Sequence, residues 1–304
     1  MNIHNPFSKQ DRKKKKKAEN LARLCEQKAL LLCTEYQKNI LNSTASGVGN
    51  SLDQEIIVSL TSIKPRLDNV AYTIESLMQQ TIKADRIILC LGKENIEPSD
   101  IPLSLKMLEK RGLEIRLYDE DLGPYTKYFY TLKENPESLI ITADDDILYS
   151  LDTIEKLYRA YYKENQVIHC HRGHKILVEH KTIMPYKKWD YSSQLENASL
   201  SIFPTGVGGV LYFPGCLHQD ALNKEKFMKL CPKADDVWLK AMSLKKGISC
   251  RTIKRTRPFS FDCPNIPLSQ EVTLKRSNKK TNGNDAKVKR VFEEYSLIKK
   301  LENA

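Results

Sequence analysis

Three consecutive carboxylates, Asp144, Asp145 and Asp146, come directly after the apolar run SLIITA of residues 138–143. Such groups at the tip of a buried strand cannot all stay unpaired, because each buried charge costs several kcal/mol. Strand alternation points Asp144 and Asp146 to one side and Asp145 to the other. One face then offers two hard oxygen ligands, suited to Mg2+ or Mn2+ that also binds phosphate oxygens. An ion held there would neutralise a nucleotide diphosphate as its bond to a sugar breaks. A capping or turn cluster is the plain alternative for three adjacent acids. The position after SLIITA, together with the motifs downstream in the chain, favours the metal–diphosphate site.

A second acidic pair, Asp235 and Asp236, opens the helical pattern DDVWLKAM. Carboxylates there are favoured by the helix dipole and the unsatisfied N–H groups, so a cap is a sufficient structural reason for them. Two adjacent acids also raise the pKa of one of them. Gly206, Gly208 and Gly209 in FPTGVGGVLY do not make the dinucleotide fingerprint, which needs strand, GxGxxG and helix in register. They suit a close approach of backbone to a sugar, or a tight turn between core strands. His169 and His171 share a strand face near His174, but the usual zinc partners are absent from the surrounding sequence. Trp238 could stack on a sugar and reads better as core.

The elements that must position these residues alternate. Residues 55–62, 86–91, 113–118, 138–143 and 166–171 have the apolar, β-branched character of buried strands. Residues 67–80, 103–110, 126–135 and 152–162 have helical periodicity between them. Alternation of this kind implies an α/β fold with a mostly parallel, Rossmann-like sheet and helices on both faces. Ligands of such sheets bind beyond the carboxyl ends of the strands, where the aspartate triplet falls. Further on, residues 180–197 read as a loop, 234–242 as the start of a helix, 277–284 as a polar loop and 285–301 as a terminal helix.

The 304-residue chain is 40% hydrophobic, enough for one large α/β domain. Its charge of +11 lies at the ends: seven Lys/Arg against one Asp in residues 1–17, and thirteen against six acids in residues 251–304. Basic ends around a near-neutral centre suit an enzyme at an anionic surface better than a dedicated nucleic-acid binder. Residues 1–50 read as a basic segment, an amphipathic helix and a Gly/Ser/Asn linker, NSTASGVGN, appended to a catalytic domain of residues 51–304. The appendage is either a peripheral membrane anchor, at about 1 kcal/mol per Lys/Arg near an anionic leaflet, or a helix packed on the domain or a second subunit. No apolar run approaches the length of about 18 residues that spans a bilayer, and the N-terminus has no apolar signal core. Eight scattered cysteines without metal or redox spacing complete the expectation of a cytoplasmic protein, with the inner face of the membrane as its place of contact.

The order IIVSLTSIKPRL, TIESLMQQTIKADRIIL and DEDLGPYTKYFYTLKENPESLIITADDDILY resembles the GT-A superfamily of glycosyltransferases. More closely, FPTGVGGVLY, LCPKADDVWLKAM and a terminal GxND-type segment resemble a bacterial group of envelope-glycan sugar transferases. The resemblance covers residues 56–295. It implies a GT-A-type fold, a nucleotide-sugar donor and Mn2+ or Mg2+ as cofactor. It further implies that Asp144 and Asp146 hold the metal, with Asp145 toward ribose or sugar, and that Thr61, Ser62 and Arg66 contact the nucleotide. Lys127 would reach the nucleotide sugar. Asp236, with Asp235, would supply the base of an inverting transfer. An RGH run in the group makes Arg172 and His174 candidates for substrate contact. Asn284 and Asp285 match the terminal segment, although the preceding CPNIPLSQ and SNKKTN depart from it.

These readings converge on a metal-dependent, inverting glycosyltransferase. It would move a sugar, a hexose by expectation, to a glycan or glycolipid of the bacterial envelope: lipopolysaccharide, lipooligosaccharide or capsule. A nucleotidyltransferase shares the sheet and acidic site but carries a Gly-rich loop after the first strand, and SLTSIKPRL has none. A basic membrane or nucleic-acid adaptor is the non-enzymatic alternative, and no specific nucleic-acid partner is expected. Donor sugar, linkage and oligomeric state are not legible.

Overall fold

The structure is a computed structural model and describes residues 9–267, 269 and 283–302. The first eight residues of the basic N-terminus and most of the expected polar loop at 277–284 lie outside the described residues.

A long helix, α1 (Lys9–Asn42), precedes an alternation of strands and helices. The sheet strands of the first half are β1 (Ile56–Thr61), β2 (Arg86–Gly92), β3 (Leu113–Tyr118) and β4 (Leu139–Ala143). Helices α2 (Leu67–Met78), α3 (Leu103–Glu109) and α4 (Thr126–Glu134) connect them. After α5 (Thr153–Lys163) come β5 (Ile168–Cys170) and four short strands, β6 (Gly173–Lys175), β7 (Val178–Glu179), β8 (Thr182–Ile183) and β9 (Ile202–Pro204). The chain continues through β10 (Val210–Tyr212), α6 (Lys224–Leu230), α7 (Asp235–Lys246), β11 (Cys250–Thr252) and the short α8 (Phe259–Asp262).

Seven strands form one sheet in the order β11-β5-β10-β4-β1-β2-β3. All neighbours are parallel except β10, which runs antiparallel to both β4 and β5. This is the expected mostly parallel, helix-flanked α/β sheet with a long N-terminal helix. Central strands β1 and β4 are buried on both faces, which is why their sequences are continuous apolar runs rather than alternating ones. The C-terminal stretch, expected as one helix, is two, Gly283–Glu294 and Ile298–Leu301, broken where Ser296 takes a positive φ of 53°.

Helix α1 packs on the domain. Ala29 and Tyr36 are buried in a cluster with Leu148 and Ile266, and Ile40 joins the main core. The linker behind α1 is also fixed: Arg111 Nε donates to Ala45 O at 2.9 Å, and Gly47 N donates to Arg111 O at 2.8 Å. Gly47 lies so close to Met78 that a Cβ would meet its side chain at 2.3 Å.

Candidate active site

The parallel register of β1 and β4 places the first site residues. Leu60 pairs with Ala143, and the same offset carried two residues on sets Ser62 opposite Asp145. Ser62 Oγ donates to Asp145 Oδ2 at 2.6 Å, and Arg66 Nη1 donates to Asp145 Oδ1 at 2.6 Å. Burial raises the pKa of the Asp145 carboxyl, with Arg66 and Ser62 opposing that rise. Arg66 also approaches Asp146, with Nη2 4.0 Å from Oδ2. Thr73 Oγ1 bonds the backbone carbonyls of Asp145 and Ile147 at 3.1 and 2.9 Å, which ties the aspartate turn to α2.

The expected alternation along the triplet does not hold, because β4 stops at Ala143 and the aspartates enter a turn. Asp145 and Asp146 both lie beside Arg66, while Asp144 points to a different cation. Lys127 Nζ donates to Asp144 Oδ1 at 2.9 Å and stands 3.0 Å from Asp235 Oδ2. Its side chain is 7% exposed, so it is a buried ion-pair partner and not a solvated helix lysine. Burial works against the Lys127 ammonium, but Asp144 and Asp235 outweigh it, and its pKa is raised.

Three hydroxyls hold α4 where Lys127 can do this. Ser59 Oγ, buried in β1, donates to Lys127 O and bonds Thr131 Oγ1 at 2.7 Å. Tyr125 Oη donates to Cys231 O, and Tyr128 Oη donates to Ala221 O at 2.9 Å. The two tyrosines dock α4 on the segment leading into α7, and so bring Asp235 and Asp236 to the triplet.

Asp235 and Asp236 occupy the first turn of α7, as the dipole favours. Gly247, at φ 82°, closes the other end of that helix in the left-handed conformation. Asp235 is buried and Asp236 partly so. Asp236 Oδ1 accepts from Val237 N at 2.8 Å, and its pKa is pushed up to about 7, first by burial and then by the neighbouring Asp235. Burial likewise raises Asp235, against the pull of Lys127.

The glycine turn after β9 closes the site from above. A Cβ on Gly206 would lie 3.2 Å from Asp144 Oδ1 and 3.3 Å from Lys127 Nζ, so backbone rather than side chain approaches the cluster there. Among the described residues no three His, Cys, Asp or Glu side chains are grouped so that they could hold a metal ion. The Asp144 and Asp146 carboxylates are 28% and 15% exposed, the first held by Lys127 and the second 4.0 Å from Arg66. Hard oxygens of this kind fit Mg2+ or Mn2+ that completes its shell with phosphate oxygens and water.

The remaining candidates divide. Thr61 ends β1 next to Ser62. The three histidines are taken by structure: His169 Nε2 bonds Glu164 O and His171 Nε2 bonds Thr153 O, both at 3.0 Å, and His174 Nδ1 accepts from Ser192 N at 3.0 Å. Burial lowers His171 and His174 to about 4, which keeps them neutral. Trp238 is core, with no exposure. Asp285 Oδ1 accepts from Tyr186 N at 2.6 Å, which fixes the turn that carries Tyr186.

Sequence reasoning misses that turn. Tyr186, Trp189 and Tyr191 form one aromatic cluster with His174 and Phe203, and burial, then the charge of Asp236, raises the Tyr186 phenol. The signal is the aromatic density of MPYKKWDY inside a segment that otherwise reads as a loop. Arg255, after β11, carries no such signal, being one basic residue in a basic tail.

No protein-family model matches the chain, and no curated protein matches it in sequence. Among solved structures, the chain is similar to a mannosyltransferase from Pyrobaculum calidifontis in complex with GDP-Man and Mn2+ (TM-score 0.42, 11% identity). The match covers 75% of this chain and 66% of that one, just under two thirds. It is similar also to a CMP:2-keto-3-deoxy-manno-octonic acid synthetase complexed with CTP (TM-score 0.41, 11% identity, 77% and 99% coverage). A UDP-glucose pyrophosphorylase from Acinetobacter baumannii stands at TM-score 0.41, 7% identity, and 83% and 98% coverage. Likeness at this distance carries no function across.

Proposed function

We propose that this chain is a metal-dependent, inverting glycosyltransferase acting on a nucleotide diphosphate sugar. The observation that carries the reading is that one buried ammonium, that of Lys127, joins Asp144 of the strand-end triplet to Asp235 of the Asp235–Asp236 pair at the carboxyl edge of the sheet. Asp144 and Asp146 would hold Mg2+ or Mn2+, which supplies charge neutralisation for the departing diphosphate. Thr61, Ser62 and Arg66 line the nucleotide end, with Asp145 fixed between Ser62 and Arg66. Lys127 places positive charge beside the same cluster. Asp236 accepts the proton of the acceptor hydroxyl as that oxygen bonds the anomeric carbon, and the electron pair of the old bond leaves with the diphosphate. Its pKa of about 7 is matched to a base working near neutrality.

Donor hydrolysis across a panel of nucleotide sugars, with and without Mn2+, tests the reading. Turnover that survives EDTA or Asp146→Ala would remove the metal role. Formation of pyrophosphate from a nucleoside triphosphate and a sugar phosphate would assign nucleotidyl transfer instead.

The acceptor we propose is an envelope glycan or glycolipid reached at an anionic membrane face. Leu24, Leu30, Leu31 and Leu41 of α1 are at least half exposed, on the helix that carries the basic run Lys13–Lys17. Among the described residues no helix is long and apolar enough to cross a membrane, so contact would be peripheral. Sedimentation with vesicles containing phosphatidylserine, and loss of it after Leu31→Glu, checks this.

A further inference from the structure

Arg172 and Arg255 come from different loops and share one aromatic ring. Their guanidinium carbons lie 5.7 and 5.4 Å from the centroid of Phe259. Both side chains are half-buried, and among the described residues neither forms an ion pair. The Asp262 carboxylate, which bears on Arg255, is itself held by Arg257 Nε at 2.9 Å. Arg255 is anchored by Nη1, which donates to His171 O. Burial depresses the Arg255 guanidinium, and the Arg172 charge depresses it further.

The pair is connected to the carboxylate cluster through the glycine turn. Gly208, at φ 93°, presses on the Phe259 ring so closely that a Cβ would meet it at 2.5 Å, while Gly206 of the same turn lies against Asp144 and Lys127. Arg172 directly precedes β6, whose His174 packs on Tyr186 and Tyr191 at 5.7 and 4.4 Å between ring centroids, and its charge acts on both phenols. Tyr191 is 47% exposed and packs on buried His174 at 4.4 Å between centroids.

Two like charges gathered on one ring repel each other and gain most from an anion bound between them. Guanidinium forks match phosphate and carboxylate oxygens two at a time, and the ring fixes their direction. We infer that Arg172 and Arg255 form an anion subsite that takes a phosphate or carboxylate group of a sugar substrate, with Tyr191 beside it for the sugar ring. The sugar-substrate role rests on the proposed transferase activity; the anion site itself does not.

Calorimetric titration of the full chain with inorganic phosphate and with pyrophosphate, at low salt and without divalent metal, tests it. Saturable phosphate binding is expected, weakened at least about tenfold by Arg172→Gln and by Arg255→Gln, with each variant's thermal midpoint near the wild-type value. Lys254→Gln, on the exposed neighbour, should bind as wild type. No saturable binding by the wild type, or wild-type affinity in either arginine variant, overturns the site. Asp144→Asn separates the two readings: loss of sugar transfer with phosphate binding intact leaves the anion site standing, and phosphate binding without any transfer activity in the wild type removes only the enzymatic role. Uridine and guanosine diphosphates with Mn2+ then locate the anion. A parallel loss of nucleotide affinity in the arginine variants assigns it to the donor diphosphate, and unchanged nucleotide affinity assigns it to an acidic acceptor.

Discussion

Lys127 and Asp235 meet at 3.0 Å although they come from helices in different halves of the chain. The ammonium also serves Asp144 at 2.9 Å, so its removal strands the buried Asp235 carboxylate and leaves the partly exposed Asp144 without its cation. Lys127→Met should therefore cost about 3–5 kcal/mol, the usual loss when one member of a buried ion pair is deleted. Urea unfolding measures this, and sugar transfer should fall with it by about 100-fold or more, the range seen when an electrostatic donor is lost from an active site.

Asp236 predicts a pH profile. If it is the base, log kcat/KM rises with unit slope to a pH of about 7 and then levels, because only the carboxylate accepts the proton. Asp236→Asn should abolish that limb and lower transfer by about 10²–10⁴-fold, while nucleotide-sugar binding stays intact. The same group acts on stability with the opposite trend. Between the ordinary value of 3.8 and about 7 the native state keeps a proton that the unfolded chain has released. Stability therefore falls as pH rises through that window. At pH 8 the asparagine variant should melt above the wild type, and near pH 4 the two should coincide; an equal difference at both values would assign the shift to packing.

Glu75 and Arg111 form the most buried ion pair among the described residues, 2.5 Å apart with 0% and 3% side-chain exposure. Gln79 and the Ala45 carbonyl satisfy what remains of the two groups. Arg111→Met alone should destabilise by about 3–5 kcal/mol, whereas Arg111→Met combined with Glu75→Leu should lose much less. A double-mutant cycle by chemical denaturation checks the difference.

Helix α1 bears on the site through the C-terminal loop. Lys28 Nζ donates to Phe261 O at 2.7 Å, and Ile266, buried beside Ala29 and Tyr36, donates its N–H to Asp146 O at 3.0 Å. Deleting residues 1–42 should lower the thermal midpoint and reduce kcat for transfer, not merely release the protein from membranes. An excised chain with full turnover in solution would return α1 to a purely peripheral role.

Much of the sheet was legible because buried parallel strands announce themselves as continuous apolar runs. β1 and β4 are of this kind, and their C-terminal ends directed attention to Asp144–Asp146. The turn geometry was not legible: whether β4 ends at Ala143 or Asp146 depends on Arg66 and Lys127 competing for the aspartates, a tertiary effect. Lys127 stands out only through the family resemblance, and its burial between two aspartates was not legible, since nothing local to GPYTKY reveals that Tyr125 and Tyr128 anchor the helix against the chain around Ala221 and Cys231. Asp285 matched a motif without a stated task, and only the contact with Tyr186 gives it one.

Strand β10 has a consequence for how the molecule is made. It lies antiparallel between β4 and β5, so the halves of the sheet do not touch until residues 210–212 return to the gap. During synthesis β1 to β4 can assemble early, but the apolar edge of β4 then stays open while about seventy more residues are delivered. Closing such a long loop is slow, and an open hydrophobic edge invites pairing with other chains. A fragment ending before β10 should therefore aggregate rather than fold. The arrival of one three-residue strand both seals the sheet and allows α7 to bring its acids to the aspartate turn.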